Sequence, residues 1–167
     1  MSAVIDQTTE TYGIANWGAD YFAVNRKGNL IVRAPENDNL TADIKEIIDD
    51  LQKRGINTPI LLRFPQLIFG QIRKLQTAFR KSIKEFEYEG GHLCVFPMKV
   101  NQNRAVIEEY LREGTRYNFG LEAGSKAELY AALGLEQSKE SLLVLNGFKD
   151  RDFIRLAFAG AAAGKNV

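Results

Sequence analysis

The chain has 167 residues, 45% of them apolar and 26% charged, with a formal net charge of +1, the ordinary make-up of a globular protein. So even a balance of charge offers no field that would gather nucleic acid or an anionic membrane. No stretch approaches the ~18–20 consecutive apolar residues of a membrane span, and the single cysteine, Cys94, excludes an internal disulfide.

Residues 1–11 are polar, carry Asp6 and Glu10, and lack the basic and apolar regions of a secretory signal. They are expected to form a disordered N-terminus, and the address expected for the protein is the cytoplasm. Residues 12–38 look like a β segment. Tyr21, Phe22 and Val24, then Leu30, Ile31 and Val32, flank the polar turn Arg26–Lys27–Gly28–Asn29, a hairpin signal. An isolated hairpin is marginal in water, and no partner for it is evident in the segment itself. Pro35–Glu36–Asn37–Asp38–Asn39 reads as a loop or linker.

A different rhythm starts at residue 39. Ile44, Ile47, Ile48 and Leu51 fall at helical spacing, with Lys53 and Arg54 late and Gly55 as the stop. Pro59 to Phe64 is a short apolar run that reads as a buried strand. Leu67, Ile68, Ile72, Leu75, Phe79, Ile83 and Phe86 then mark a long helix. The pattern repeats three times. A strand at 92–99 precedes a helix at about 102–113, and a strand at 117–122 precedes a helix opened by Ser125–Lys126–Ala127–Glu128, which spells a capping box. A strand at 142–146 precedes a helix at about 150–163, ended by Gly164.

Strands alternating with helices argue for βαβ units and a parallel sheet, either doubly wound or closed as a (β/α)₈ barrel. Four units do not close a barrel of eight strands. The last residues, Gly164 to Val167, stand where a fifth strand would begin, so the chain reads as truncated.

Functional groups of parallel α/β folds gather at the C-terminal ends of the strands. The strand ends here carry Arg63, then Lys99 and Asn101, then Glu122, then Asn146 followed by Lys149. Period-2 alternation puts Leu93, Val95, Pro97 and Lys99 on one side of their strand and Cys94, Phe96, Met98 and Val100 on the other. If the first set lines a barrel interior, Lys99 stands at its mouth above an apolar wall. There a lysine loses solvation and its neutral amine becomes available for Schiff-base chemistry. On the next strand Asn118, Gly120 and Glu122 share a face, which brings Glu122 toward the same mouth. The bland readings are a solvated loop lysine for Lys99, a macrodipole-favoured helix acid for Glu122 and a simple ion-pair partner for Arg63. His92, the only histidine, opens its strand at the opposite end and reads as structural or as a surface residue. Cys94, inside an apolar run, reads as a buried inert thiol. One His and one Cys support no conventional metal cluster, and Gly124–Ser125, opening a helix, is a weak phosphate signal without a glycine-rich motif.

The run Val95–Phe96–Pro97–Met98–Lys99–Val100–Asn101–Gln102 resembles the cofactor-lysine motif of the biosynthetic arginine decarboxylases, pyridoxal-phosphate barrels of the alanine-racemase-like, ornithine-decarboxylase-like class. The likeness extends from Tyr12–Gly13–Ile14–Ala15–Asn16–Trp17–Gly18 through Leu61–Leu62–Arg63–Phe64 and Gly120–Leu121–Glu122–Ala123–Gly124–Ser125 to Asn146–Gly147–Phe148–Lys149–Asp150.

The resemblance implies an incomplete PLP-binding (β/α)₈ TIM barrel over 39–167, preceded by the hairpin segment 12–38 of a β domain completed downstream. It implies that Lys99 forms the Schiff base with pyridoxal 5'-phosphate and that Glu122 is an acid beside it. The reaction implied is conversion of L-arginine to agmatine and CO₂, a step toward spermidine, by a homo-oligomer that is at least a dimer. Mg²⁺ enters as a cofactor through the resemblance alone. The family's phosphate loop, the acid that pairs with the pyridine nitrogen, and its late acidic and thiol residues are expected beyond Val167, so the fragment alone is expected to be inactive. The competing readings are a barrel decarboxylase acting on ornithine, diaminopimelate or a carboxylated polyamine, a non-catalytic regulatory relative, and an open-sheet domain without cofactor.

Overall fold

In the computed structural model, which describes residues 2–35 and 37–167, the division of the chain falls inside a helix, between Gly70 and Gln71. It comes later than the boundary expected at 38/39. The first unit opens with α1 (Ser2–Thr11) and α2 (Ile14–Trp17). Residues 2–11, expected to be disordered, are therefore helical. Ile5, Thr8 and Thr9 form a half-buried stripe at i, i+3, i+4 spacing, and α1 rests against the first strand.

The hairpin forms as expected: β1 (Phe22–Val24) pairs antiparallel with β2 (Leu30–Ala34), with Phe22 opposite Val32. Gly28 supplies the left-handed turn residue at φ +82°. Of the linker expected over residues 35–39, Asn37 to Asn39 instead begin a third strand, β3 (Asn37–Asp43), antiparallel to β2 with an irregularity at Arg33/Ala34, and Glu36 lies outside the described residues. Asn37 pairs with Ala34 while its Oδ1 accepts from the Asn39 amide at 3.0 Å, so turn chemistry persists at the irregularity, and β3 supplies the neighbour that the hairpin lacked.

Asp43 joins the elements of this unit. It ends β3 and caps α3 (Ile44–Lys53), accepting from the Lys45 and Glu46 amides at 3.0 and 3.2 Å. Its other oxygen accepts from the side-chain amides of Asn25 and Asn29 in the β1–β2 turn, at 2.8 and 2.9 Å. Residues 59–64 do not form the strand expected of them. Leu61 is 72% exposed, Pro59 and Pro65 lack amide hydrogens at either end, and among the described residues no neighbouring strand pairs with the segment. The helix α4 (Pro65–Glu85) follows.

The second unit is built on three parallel strands: β4 (Val95–Pro97), β5 (Gly120–Ala123) and β6 (Leu143–Leu145), in that order across the sheet. Their helices are α5 (Arg104–Gly114), α6 (Lys126–Leu133) and α7 (Arg151–Ala162). Each helix is capped by its preceding polar residue: Asn103 accepts from the Ala105 amide, Ser125 from Glu128 and Asp150 from Phe153. The strands are shorter than expected. Met98–Val100 turns into a 3₁₀ segment, and a second one at Thr115–Tyr117 delays β5. Beyond β6, Leu142 and Asn166 form a parallel bridge, and the Leu143 amide donates to the Asn166 carbonyl at 2.8 Å. The sheet thus continues in sequence order.

Alternation separates two faces. Phe96, Leu121, Ala123 and Leu143 are buried, as are Ile107, Leu111, Leu129, Ala132, Phe153 and Ala157 from the helices. Each fully buried side chain of Leu or Phe size contributes about 1.5–3 kcal/mol by leaving water. The opposite face, with Val95, Pro97, Gly120, Glu122 and Val144 in register, stays half-open.

Candidate active site

Glu122 is the centre of the open face. It stands on β5 opposite Pro97 of β4 and Val144 of β6, and its side chain is only 16% exposed. Two groups from the neighbouring strand ends reach its Oε1: Lys99 Nζ at 3.7 Å and Asn146 Nδ2 at 2.9 Å. Three consecutive strand ends therefore converge on one carboxylate oxygen. Glu122 sits within the strand, not in the first turn of α6, so the helix-acid reading does not apply.

Lys99 arrives by a different route from the one expected. It lies in the 3₁₀ turn after β4, between buried Met98 and exposed Val100, where strict alternation no longer holds. Its side chain is 61% exposed, so the desolvation expected at a barrel mouth is not present here. Val95 and Pro97 form only the half-buried floor below it. Asn118, expected on the Glu122 face, adopts a left-handed conformation at φ +52° and turns to Ser138 and Glu140 instead.

The loops that carry these groups are tied to one another. Glu128, 8% exposed, accepts from the Gly124 amide at 2.5 Å and from Gln102 Nε2 at 2.6 Å, joining the loop after Lys99 to the loop after Glu122. Lys126 donates to Asp150 at 2.6 Å, joining the second loop to the third. That bond holds the Asp150 carboxyl below the ordinary carboxylate range, and it raises the Lys126 amine above its ordinary value. Gly147, at φ +76°, comes so close to the second loop that a Cβ would lie 2.3 Å from the Gly124 carbonyl oxygen. The Glu128 role was half legible. The capping-box spelling located its backbone bond to Ser125, but its carboxylate reaches Gly124 and Gln102 rather than the cap residue's own amide.

Other sequence candidates lie elsewhere. Arg63 is exposed in the first unit, on the connection before α4. Asn101 accepts from the Asn103 amide at 3.1 Å in a local turn that opens α5. Lys149 Nζ donates to the Gly147 carbonyl at 3.3 Å. His92 stacks on Phe79 with ring centroids 3.6 Å apart, a packing role as expected. Burial pushes the Cys94 thiol up, which suits an inert side chain.

A primary amine beside a carboxylate, at the ends of parallel strands, is a set that can hold a carbonyl compound as an imine. Residues 69–164 match the pyridoxal binding domain of the pyridoxal-dependent decarboxylases. The chain belongs to that family. The matched decarboxylase domain begins within two residues of the second unit and includes Lys99, Gln102, Glu122, Glu128, Asn146 and Asp150.

Individual decarboxylases extend the likeness to the first unit. The chain is 40% identical over 163 residues to a biosynthetic arginine decarboxylase of Bacteroides thetaiotaomicron, covering 98% of this chain and 26% of that protein. It is 44% identical over 158 residues to the one from Deinococcus radiodurans, covering 95% and 24%. The crystal structure of the biosynthetic arginine decarboxylase of Campylobacter jejuni superposes with a TM-score of 0.83 at 39% identity, over 93% of this chain and 26% of that one. The chain thus spans about a quarter of the length of the curated relatives it matches.

Proposed function

We propose that this chain is the N-terminal part of a pyridoxal-phosphate-dependent arginine decarboxylase that converts L-arginine to agmatine and CO₂, with Lys99 as the cofactor lysine. The observation that carries the proposal is the approach of Lys99 Nζ to Glu122 Oε1, 3.7 Å at adjacent strand ends, inside the domain shared with pyridoxal-dependent decarboxylases. The residues fit the group. Lys99 offers an accessible primary amine, and the floor of Val95, Pro97 and Gly120 suits a flat ring.

When bound, the cofactor supplies the electron sink for loss of the substrate carboxylate. The chain's own residues do the rest. Lys99 holds the cofactor covalently and carries a proton on Nζ. Glu122 orients that amine through Oε1, and the Glu128 and Lys126 ties keep the loops in register. A lysine in this role contributes ~10²–10⁴-fold through proton transfer alone. The described residues contain no group of three or more His, Cys, Asp or Glu able to hold a metal ion, so Mg²⁺ has no assigned ligand in this proposal.

The proposal extends to architecture. Strands added in sequence order, with a fourth starting at Asn166, support the opening half of a (β/α)₈ barrel, because a doubly wound sheet reverses its order. Among the described residues β1 and β3 each pair on one side only, which supports a β domain completed by downstream strands. The full-length protein is read as a cytoplasmic homo-oligomer of polyamine synthesis, and the fragment alone as inactive.

Borohydride reduction of the full-length protein, followed by peptide mass mapping, tests the central point. A pyridoxyl adduct on the Lys99 peptide is expected. An adduct on another lysine, or none, would overturn it.

A further inference from the structure

We infer that Asn146 is a positioning residue that holds the Glu122 carboxylate toward Lys99. The inference rests on the assignment of Lys99 as the cofactor lysine. The backbone of Asn146 is fixed by the sheet, its amide donating to the Ala123 carbonyl at 2.9 Å. Its side chain lies two residues beyond Val144, the register partner of Glu122, and so on the same open face.

The orientation of its side-chain amide is set by chemistry. A carboxylate only accepts, so the nitrogen of Asn146 must face Glu122, and it does so at 2.9 Å. A backbone amide only donates, so the Asn146 oxygen must face Gly147 N, and it does so at 2.7 Å. The two contacts enforce the same orientation. Glu122 Oε1 thereby accepts from Asn146 Nδ2 at 2.9 Å and lies 3.7 Å from Lys99 Nζ. Both groups meet the same carboxylate oxygen, so loss of the Asn146 donor leaves that oxygen without one of these contacts.

The substitution Asn146→Asp tests this sharply. It keeps the shape and the oxygen that accepts from Gly147, but it turns the donor facing Glu122 into a second carboxylate oxygen. In the full-length enzyme N146D is expected to lower kcat about 10-fold, the scale of a hydrogen bond to a charged group, with KM changed less than about 3-fold. The second readout is the rate at which added pyridoxal phosphate attaches to Lys99 in the cofactor-free protein, followed by absorbance, which should fall in parallel.

Glu122→Gln provides the control. If Asn146 acts through Glu122, the N146D loss is expected to shrink at least about 3-fold in the E122Q background, because the side-chain amide introduced by E122Q can donate to the carboxylate introduced by N146D. A purely structural role would give the same loss in both backgrounds, and that result would overturn the inference, as would wild-type attachment and turnover in N146D. If N146D fails to fold, N146A, which removes the donor without adding a charge, enters the same cycle, and its loss in kcat is expected to be at least about 3-fold smaller in the E122Q background. A wild-type protein that attaches no cofactor at Lys99 would overturn the parent assignment, and this inference with it.

Discussion

The two units are held together in opposite ways. In the first, described buried apolar side chains are few, Ile14 and Val32 among them, and the elements are joined by hydrogen bonds gathered on Asp43. In the second, an apolar layer from three strands and their helices buries Leu121, Leu129 and Phe153 almost completely, and polar ties gather at the strand ends. A sheet with a dry, tightly packed back can hold a carboxylate, an amine and an amide in place on its front. A sheet knit by surface polar bonds has no such platform, and its candidate, Arg63, stands exposed.

Core truncation should sharpen this contrast most. Leu121→Ala is expected to cost about 2–5 kcal/mol of unfolding free energy, whereas Val32→Ala should cost about 1.5–2 kcal/mol for its two methyl groups. Urea denaturation of the full-length protein measures both, and equal losses would remove the distinction. Ser125→Ala tests the polar ties of the second unit. Loss of the α6 cap is expected to cost about 1 kcal/mol, with less effect on the first unit by hydrogen exchange.

The smallest effect concerns Asp43 and pH. Hydrogen bonding from Asn29 is the leading cause that holds its carboxyl below the ordinary carboxylate value. A depressed folded-state value means that its stabilisation is present above the unfolded carboxylate range and disappears as pH falls through the lower, folded value. Exchange protection of the β1–β2 turn should therefore decline on acidification in the wild type and stay flat in Asp43→Asn. A flat wild-type profile would show that Asp43 is not the tie.

The alternating half of the fold was legible because its apolar runs and helix stripes are local. Ser125 caps where the capping-box spelling predicts, whereas Asn103 and Asp150, expected inside their helices, cap them. What escaped depended on partners distant in sequence. β3 begins with turn-forming Asn37 and becomes a strand only because β2 lies beside it. Residues 59–64 look like a buried strand by composition, yet Leu61 is exposed, and among the described residues no ladder receives the segment. The site divides in the same manner. Lys99 and Glu122 could be named from the strand rhythm and a family resemblance; Asn146 could be placed at a strand end, whereas its bond to Glu122, 24 residues away, could not be read from the sequence.

The bridge between Leu142 and Asn166 bears on how the molecule is made. Each parallel strand pairs with the one synthesised just before it, at a separation of about two dozen residues. Loop closure entropy grows only slowly with length, by ~0.6 kcal/mol per doubling, and here the loops are short and partly helical. Each strand's partner therefore already exists in the chain when that strand is made, and the lysine, the carboxylate and the amide follow one another in that same order along the sequence.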